Sequence, residues 1–176
     1  FQRMAEHADV DRVDWSLLRL AVGGATAVQA QTALLWLLKT GVPICQGYGM
    51  TELSPVSHVT APGDFRPGSV GVTVPNTECR VIDVATGAPL GLGQDGEICV
   101  RGPQVMTGYW GNPEETAKVL QEGWLKTGDL AYQADGNLFI CGRAKDLIIL
   151  NGKNYFPQDI ERIVSRVDGV RDGQCV

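Results

Sequence analysis

QGYGMTELSP, residues 46–55, decides how the rest of this 176-residue chain is read. Two glycines flank Tyr48, and a hydroxyl and a carboxylate follow side by side at Thr51 and Glu52. Gly-Tyr-Gly interrupts regular structure, so a plain turn is one account of it. Its setting favours another. VPICQ (42–46) reads as a short strand that delivers the motif at its C-terminal end, and ligands of open α/β sheets bind outside the carboxyl ends of strands. Upstream, LLRLAVGGA (17–25) reads as a buried strand closed by a glycine turn. Thr26 is then the N-cap of a helix whose apolar face is Val28, Leu34, Leu35 and Leu38, and Gly41 ends that helix. Residues 1–66 therefore alternate helix and strand.

Between residues 67 and 142 the pattern changes to short strands with turns between them: ECRVID (78–83), EICVRG (97–102) and NLFICG (137–142). Asp135-Gly136, between AYQA and NLFIC, is a strong hairpin signal. GLGQDG (91–96) matches G-x-G-x-x-G, but a dinucleotide loop opens a helix and here a strand follows, so the match is set aside. From Arg143 onward, DLIILNG is a strand, YFP a turn and PQDIERIVSRV a helix with Pro157 near its first position. Val170 could begin a further strand. One strand and one helix cannot bury both faces, so this last part needs more chain or a partner.

Composition removes several function classes. With 44% hydrophobic residues the chain can build a sizeable core. Its 22 glycines exceed the roughly 12 that average usage gives, and no repeat explains them, so tight turns are expected. A net charge of −5 with no local cluster of Lys and Arg argues against a nucleic-acid groove. Cysteines 45, 79, 99, 141 and 175 include no C-x-x-C pair, which suits neither a zinc site nor a disulfide framework and points to a reducing, cytoplasmic setting. His7 and His58 lie far apart in sequence, against a histidine metal cluster. The longest apolar run, ALLWLL (33–38), is far short of the ~20 residues of a membrane span, and no signal-peptide pattern is present.

Taken in order, GGA (23–25), QGYGMTE, PGSVG (67–71), GEICVRGPQVMTGYW (96–110) and GWLKTGDLAYQADGNLFICGRAKDLIILNGKNYFPQDIE (123–161) resemble the AMP-forming acyl-CoA synthetases. That superfamily also holds peptide-synthetase adenylation domains, acyl-AMP ligases and beetle luciferases. The resemblance implies an α/β fold: the end of a large α/β domain (1–66), a β-rich, distorted-barrel subdomain (67–142), and a hinge with the start of a small α+β domain (143–176). It also implies a chemistry. A carboxylate has a poor leaving group, and the family attacks the α-phosphorus of ATP to give acyl-AMP and pyrophosphate before passing the acyl group to a thiol. Positioning and charge neutralisation dominate such transfers.

By that resemblance Tyr48 lies against the adenine, Gln46, Gly47 and Gly49 belong to the nucleotide site, and Gly24 and Ala25 form the opposite wall. Thr51 donates to phosphate oxygens and Glu52 holds Mg²⁺, a cation that favours carboxylate and phosphate oxygens. Asp129 anchors the ribose hydroxyls, and Arg143 reaches the ribose or α-phosphate. Thr51, Glu52 and Arg143 are the implied catalytic set. Lys145 falls at the hinge, and Gly152 and Asn154 lie beside the thiol tunnel. Each also has a plainer account: a turn for Asp129, a solvated surface for Arg143 and Lys145. Pro55 and Val56 are implied in the acyl pocket, with core packing an equal alternative, and the substrate is read no further than an acid with an apolar tail. Coenzyme A is the first choice of acceptor; NGKNYFPQDIE also resembles ligases that load a carrier-protein phosphopantetheine. The family's phosphate-binding loop ending in Pro-Lys, and the lysine of its small domain, are not found, so the chain reads as an internal fragment expected to be inactive alone. A non-catalytic nucleotide- or partner-binding remnant is the rival reading.

Overall fold

The structure, a computed structural model, describes residues 1–24, 28–61, 63–64, 66–150, 153–164, 167 and 169–170, without the side chains of residues 30, 154, 158 and 162. A short helix, α1 (Gln2–Ala5), precedes strand β1 (Ala21–Gly23), helix α2 (Ala30–Thr40) and strand β2 (Ile44–Gly49). Then come β3 (Val56–Val59), β4 (Val72–Thr73), β5 (Glu78–Ile82), β6 (Gly96–Arg101), helix α3 (Pro113–Val119), β7 (Leu120–Gln121), β8 (Trp124–Ala134) and β9 (Asn137–Arg143). The hairpin β10 (Ile148–Leu150) and β11 (Lys153–Tyr155) leads to α4 (Pro157–Val164).

The first sheet has the order β1-β2-β3-β4, with β1 and β2 parallel and the other pairs antiparallel. β1 and β2 are joined through α2, whose last turn closes on Gly41 in the left-handed conformation. The expected strand over 17–25 is shorter than its apolar run. It covers only Ala21–Gly23, and Leu17 is 82% exposed. Gln29 occupies the N-cap of α2, while Thr26 and Ala25 lie outside the described residues. The buried face of that helix is also different from the expected one. Ala33 and Trp36 pack with Ala5, Ala21 and Ile44, with Val28 and Leu35 partly buried against them, whereas Leu34 and Leu38 are exposed. ALLWLL is apolar all round, so periodicity alone did not select a face.

The second sheet is antiparallel, ordered β5-β6-β8-β7, with β9 also on β8. β8 is long enough to serve three partners. β7 pairs with its start at Trp124 and Leu125, while β9 pairs with Asp129 through Ala134. Register shifts at Glu97/Cys99 and Leu130/Ala131 bend this sheet along its length. Asp135 and Gly136, at φ 47° and 76°, make the expected β8–β9 hairpin turn. GLGQDG leads into β6 rather than a helix.

The two sheets are stitched at residues 69–71. The Val70 amide donates to the Leu138 carbonyl and the Leu138 amide to the Gly71 carbonyl, at 2.9 Å each. Gly71, at φ 85°, sits so close to β3 that a Cβ would fall 2.0 Å from the Val59 oxygen, and only glycine fits there. The main core forms across this seam: Tyr48 and Leu53 from the first sheet's end pack with Val70, Val81, Ile98, Val100, Leu125, Ala131 and Leu138. The signature stretch is thereby joined to both sheets.

Candidate functional site

Gly-Tyr-Gly does not interrupt β2; the strand runs through it to Gly49 and pairs with β3. Gly49 is a glycine because the chain turns back immediately afterwards. A Cβ there would lie 1.8 Å from the Pro55 carbonyl oxygen. Gly47 and Gly24 are backbone neighbours, an added Cβ on Gly24 falling 3.8 Å from the Gly47 oxygen. Gln46 acts as a clamp: its side-chain oxygen accepts from the Val28 amide (3.0 Å), and its own amide donates to the Thr60 hydroxyl (2.6 Å).

Tyr48 is buried at the seam, and its hydroxyl donates to Asp129 Oδ2 at 2.7 Å. Asp129 sits in β8, 6% exposed, opposite Arg143 of β9 in the antiparallel register. The Arg143 Nε forms an ion pair with Asp129 Oδ1 at 2.9 Å while its side chain remains half exposed. Tyr48, 81 positions before Asp129 in the chain, and Arg143 thus meet at one carboxylate. Burial first, then the Asp129 charge, pushes the Tyr48 phenol above its usual range, so it remains a donor. Thr127 holds the Asp129 main chain: its hydroxyl donates to the Ile98 carbonyl (2.9 Å) and accepts from the Asp129 backbone amide (3.1 Å). The sequence reading did not single out Thr127, although it stands in the quoted KTGD.

Thr51–Leu53 form a 3-10 turn beyond the end of β2. Leu53 is fully buried and anchors it, Thr51 is exposed, and Glu52 lies between. Glu52 Oε1 accepts from the Tyr109 hydroxyl at 2.8 Å, another contact that sequence reasoning missed. Pro55 and Val56 are exposed. Behind Tyr48, His58 is buried and shares a 2.9 Å hydrogen bond with the Ser57 hydroxyl through Nδ1. Burial lowers its pKa to about 4.

Lys145 is exposed in a 3-10 turn, Ala144–Asp146, directly after Arg143. Asn154 lies in β11 opposite Ile149, with its side chain outside the description, and Gly152 lies outside the described residues. Cys45 and Cys99 are buried thiols, and Cys79 and Cys141 are partly buried; Cys175 lies outside the described residues. Among the described residues no helix is long and apolar enough to cross a membrane.

Residues 1–110 match the family model described as AMP-binding enzyme. The long-chain-fatty-acid–CoA ligase of Salmonella typhimurium is 38% identical over the whole chain, which covers 32% of that protein. The luciferin 4-monooxygenase of Photinus pyralis is 38% identical over 98% of the chain and 32% of its own length. Among solved structures, ATP-bound MatB from Rhodopseudomonas palustris superposes with a TM-score of 0.88 at 35% identity, over 97% of this chain and 34% of that one. The chain spans about a third of the length of the relatives it matches. Sequence, fold and the order of the motifs agree, and the chain belongs to the AMP-binding enzyme family.

Proposed function

We propose that this chain supplies the nucleotide-holding part of an ATP-dependent ligase that activates a carboxylic acid as acyl-AMP and transfers the acyl group to a thiol. The Tyr48–Asp129–Arg143 constellation carries the reading. It is a buried carboxylate with a fixed cation at its rim, at the C-terminal end of a parallel strand pair. Asp129 accepts from the ribose hydroxyls, and Arg143, which is exposed enough to turn, moves between the ribose and the α-phosphate. Gly24, Ala25, Gln46, Gly47, Tyr48 and Gly49 surround the adenine, and the exposed Thr51 hydroxyl donates to phosphate oxygens.

Glu52 fits a hard divalent cation. It offers one carboxylate at the rim of the site, beside Thr51, which suits Mg²⁺ sharing its remaining ligands with phosphates and water. Bound there, the ion neutralises phosphate charge. Exposed Pro55 and Val56 suit the wall of an acyl pocket, and the ligase relatives favour an acid with a long apolar tail and coenzyme A as the thiol. A carrier-protein phosphopantetheine is the other acceptor to be tested. The turn after β9 supports Lys145 as a hinge between residues 1–142, divided at 66/67, and the part from 143 onward, where Gly152 and Asn154 line the thiol path. A cytoplasmic location accords with this chemistry.

The test is exchange of labelled pyrophosphate into ATP by the full-length protein, with fatty and aryl acids compared and the thioester product identified. Asp129→Asn should weaken ATP binding by ~10–100-fold, the worth of a hydrogen bond to a charged group. Exchange that ignores added acid, or an Asp129→Asn variant with unaltered ATP affinity, overturns the reading.

A further inference from the structure

The segment GPQVMTGYWGN (102–112) connects β6 to α3 and hooks onto the Glu52 turn at two points. The Met106 amide donates to the Glu52 main-chain carbonyl at 2.8 Å, and the Tyr109 hydroxyl donates to the Glu52 carboxylate at 2.8 Å. Tyr109 is itself held from behind. Its amide donates to Thr116 Oγ1 (2.9 Å), the Thr116 hydroxyl donates to the Asn112 carbonyl (2.8 Å), and Asn112 caps α3 by accepting from the Glu115 amide (3.1 Å). Gly108 presses against the same threonine; a Cβ there would fall 2.8 Å from Thr116 Cγ2. The first turn of α3 therefore fixes the tyrosine backbone, and the ring carries its hydroxyl to a residue 57 positions earlier.

Burial does not explain this contact. Tyr109 is 38% exposed and its neighbour Trp110 is wholly exposed, so the ring is not there to fill the core. What the contact does is restrict a rim carboxylate that would otherwise sample several rotamers. A held carboxylate presents its second oxygen in one direction, which a cation shared with a flexible triphosphate needs. Partners of this kind, one bond behind a metal ligand, typically govern affinity by 10–100-fold. We propose that Tyr109 is a positioning residue that orients Glu52 toward the cation bound with ATP. The inference rests on the reading of Glu52 as that cation's ligand.

The experiment uses the full-length protein and reads cation affinity without turnover: Mn²⁺ is titrated, by its electron paramagnetic resonance signal, into the complex with α,β-methylene-ATP. Tyr109→Phe should weaken Mn²⁺ binding by ~10-fold, leaving cation-free nucleotide binding and the melting temperature as in the wild type. Glu52→Gln should lose at least as much, and adding Tyr109→Phe to it should cost nothing further. Trp110→Ala, in the same loop, should bind Mn²⁺ as the wild type does. In turnover, Tyr109→Phe should raise the Mg²⁺ concentration for half-maximal pyrophosphate exchange and keep the rate at saturating Mg²⁺ within about twofold, the split expected when binding alone is lost. If Glu52→Gln loses affinity and Tyr109→Phe does not, Tyr109 has no such role while the reading of Glu52 stands. If Glu52→Gln binds Mn²⁺ normally, that reading and this inference both fall. If Tyr109→Phe instead lowers the melting temperature or cation-free nucleotide binding, the loop is structural and the inference is wrong.

Discussion

Asp129 has both carboxylate oxygens engaged inside the protein, one by Tyr48 and one by Arg143. In the proposed reading a ligand hydroxyl would compete with the more exposed partner, Arg143. His58, opposite Tyr48 on the neighbouring strand β3, offers a test of how tightly this region is packed. Its folded pKa of about 4 lies below the ordinary 6.5 because burial disfavours the charged ring. The unfolded chain therefore binds the extra proton first as pH falls. Stability from this residue is full above about 6.5, is lost progressively between about 6.5 and 4, and changes no further below that. From pH 7 to pH 5 the loss should be about 2 kcal/mol, read from urea midpoints. Ser57→Ala/His58→Leu, which removes both hydrogen-bonding partners together, should flatten that part of the slope. A wild type and variant with equal slopes would mean that His58 takes up its proton without leaving the fold. At this scale the sequence named Tyr48, Asp129 and Arg143 because the motifs are recognisable. It did not say that they touch, because their meeting depends on a cross-strand register and a sheet seam that no local pattern encodes. Tyr109 and Thr127 were missed for the same reason: both stood inside quoted motifs, but their partners Glu52 and Ile98 are remote in sequence.

Among the elements, those with alternation and turn chemistry were legible: β5, β6 and the β8–β9 hairpin fell where the apolar runs and Asp135-Gly136 put them. β4, β7 and β11 span two or three residues and carry no period to detect. The helix α3 did carry a signal that went unread, NPEET, with Asn112 at the N-cap, Pro113 at the first position and acids in the first turn. The seam at residues 69–71 gives an elemental prediction. Gly71→Ala adds a methyl 2.0 Å from a backbone oxygen at φ 85°, and backbone cannot yield as a side-chain end can. It should destabilise by roughly 3 kcal/mol or more, combining overpacking with backbone strain. Gly68→Ala has a similar φ of 83° but open space around it, so it should cost only about 1–2 kcal/mol. Chemical denaturation of the two variants separates the terms. Equal losses would show that β3 and β9 are not held together through this glycine.

For the whole molecule, the division of labour proposed above requires movement. Adenylation and thiol attack need different groups around one acyl phosphate, and a rotation between the two steps needs a few residues at an element boundary to absorb a large φ/ψ change. The turn Ala144–Asp146 is such a boundary: it separates β9, rooted in the main antiparallel sheet, from the β10–β11 hairpin, which forms a sheet of its own. Arg143, at the end of β9, ties the near side of this turn to Asp129, so the proposed nucleotide site and the proposed hinge are adjacent in the chain. Proline at 145 fixes φ near −65° and restricts Ala144 as well. In the full-length protein, Lys145→Pro should leave acyl-AMP formation within roughly tenfold of the wild type. Transfer to coenzyme A or to a carrier thiol should fall by ~100-fold or more, because a misplaced acceptor forfeits the advantage of proximity. Single-turnover kinetics of each half-reaction, with acyl-AMP supplied for the second, make the comparison. Equal losses in both would mean that proline merely unfolds the junction, and an unaltered thioester rate would place the hinge elsewhere than Lys145.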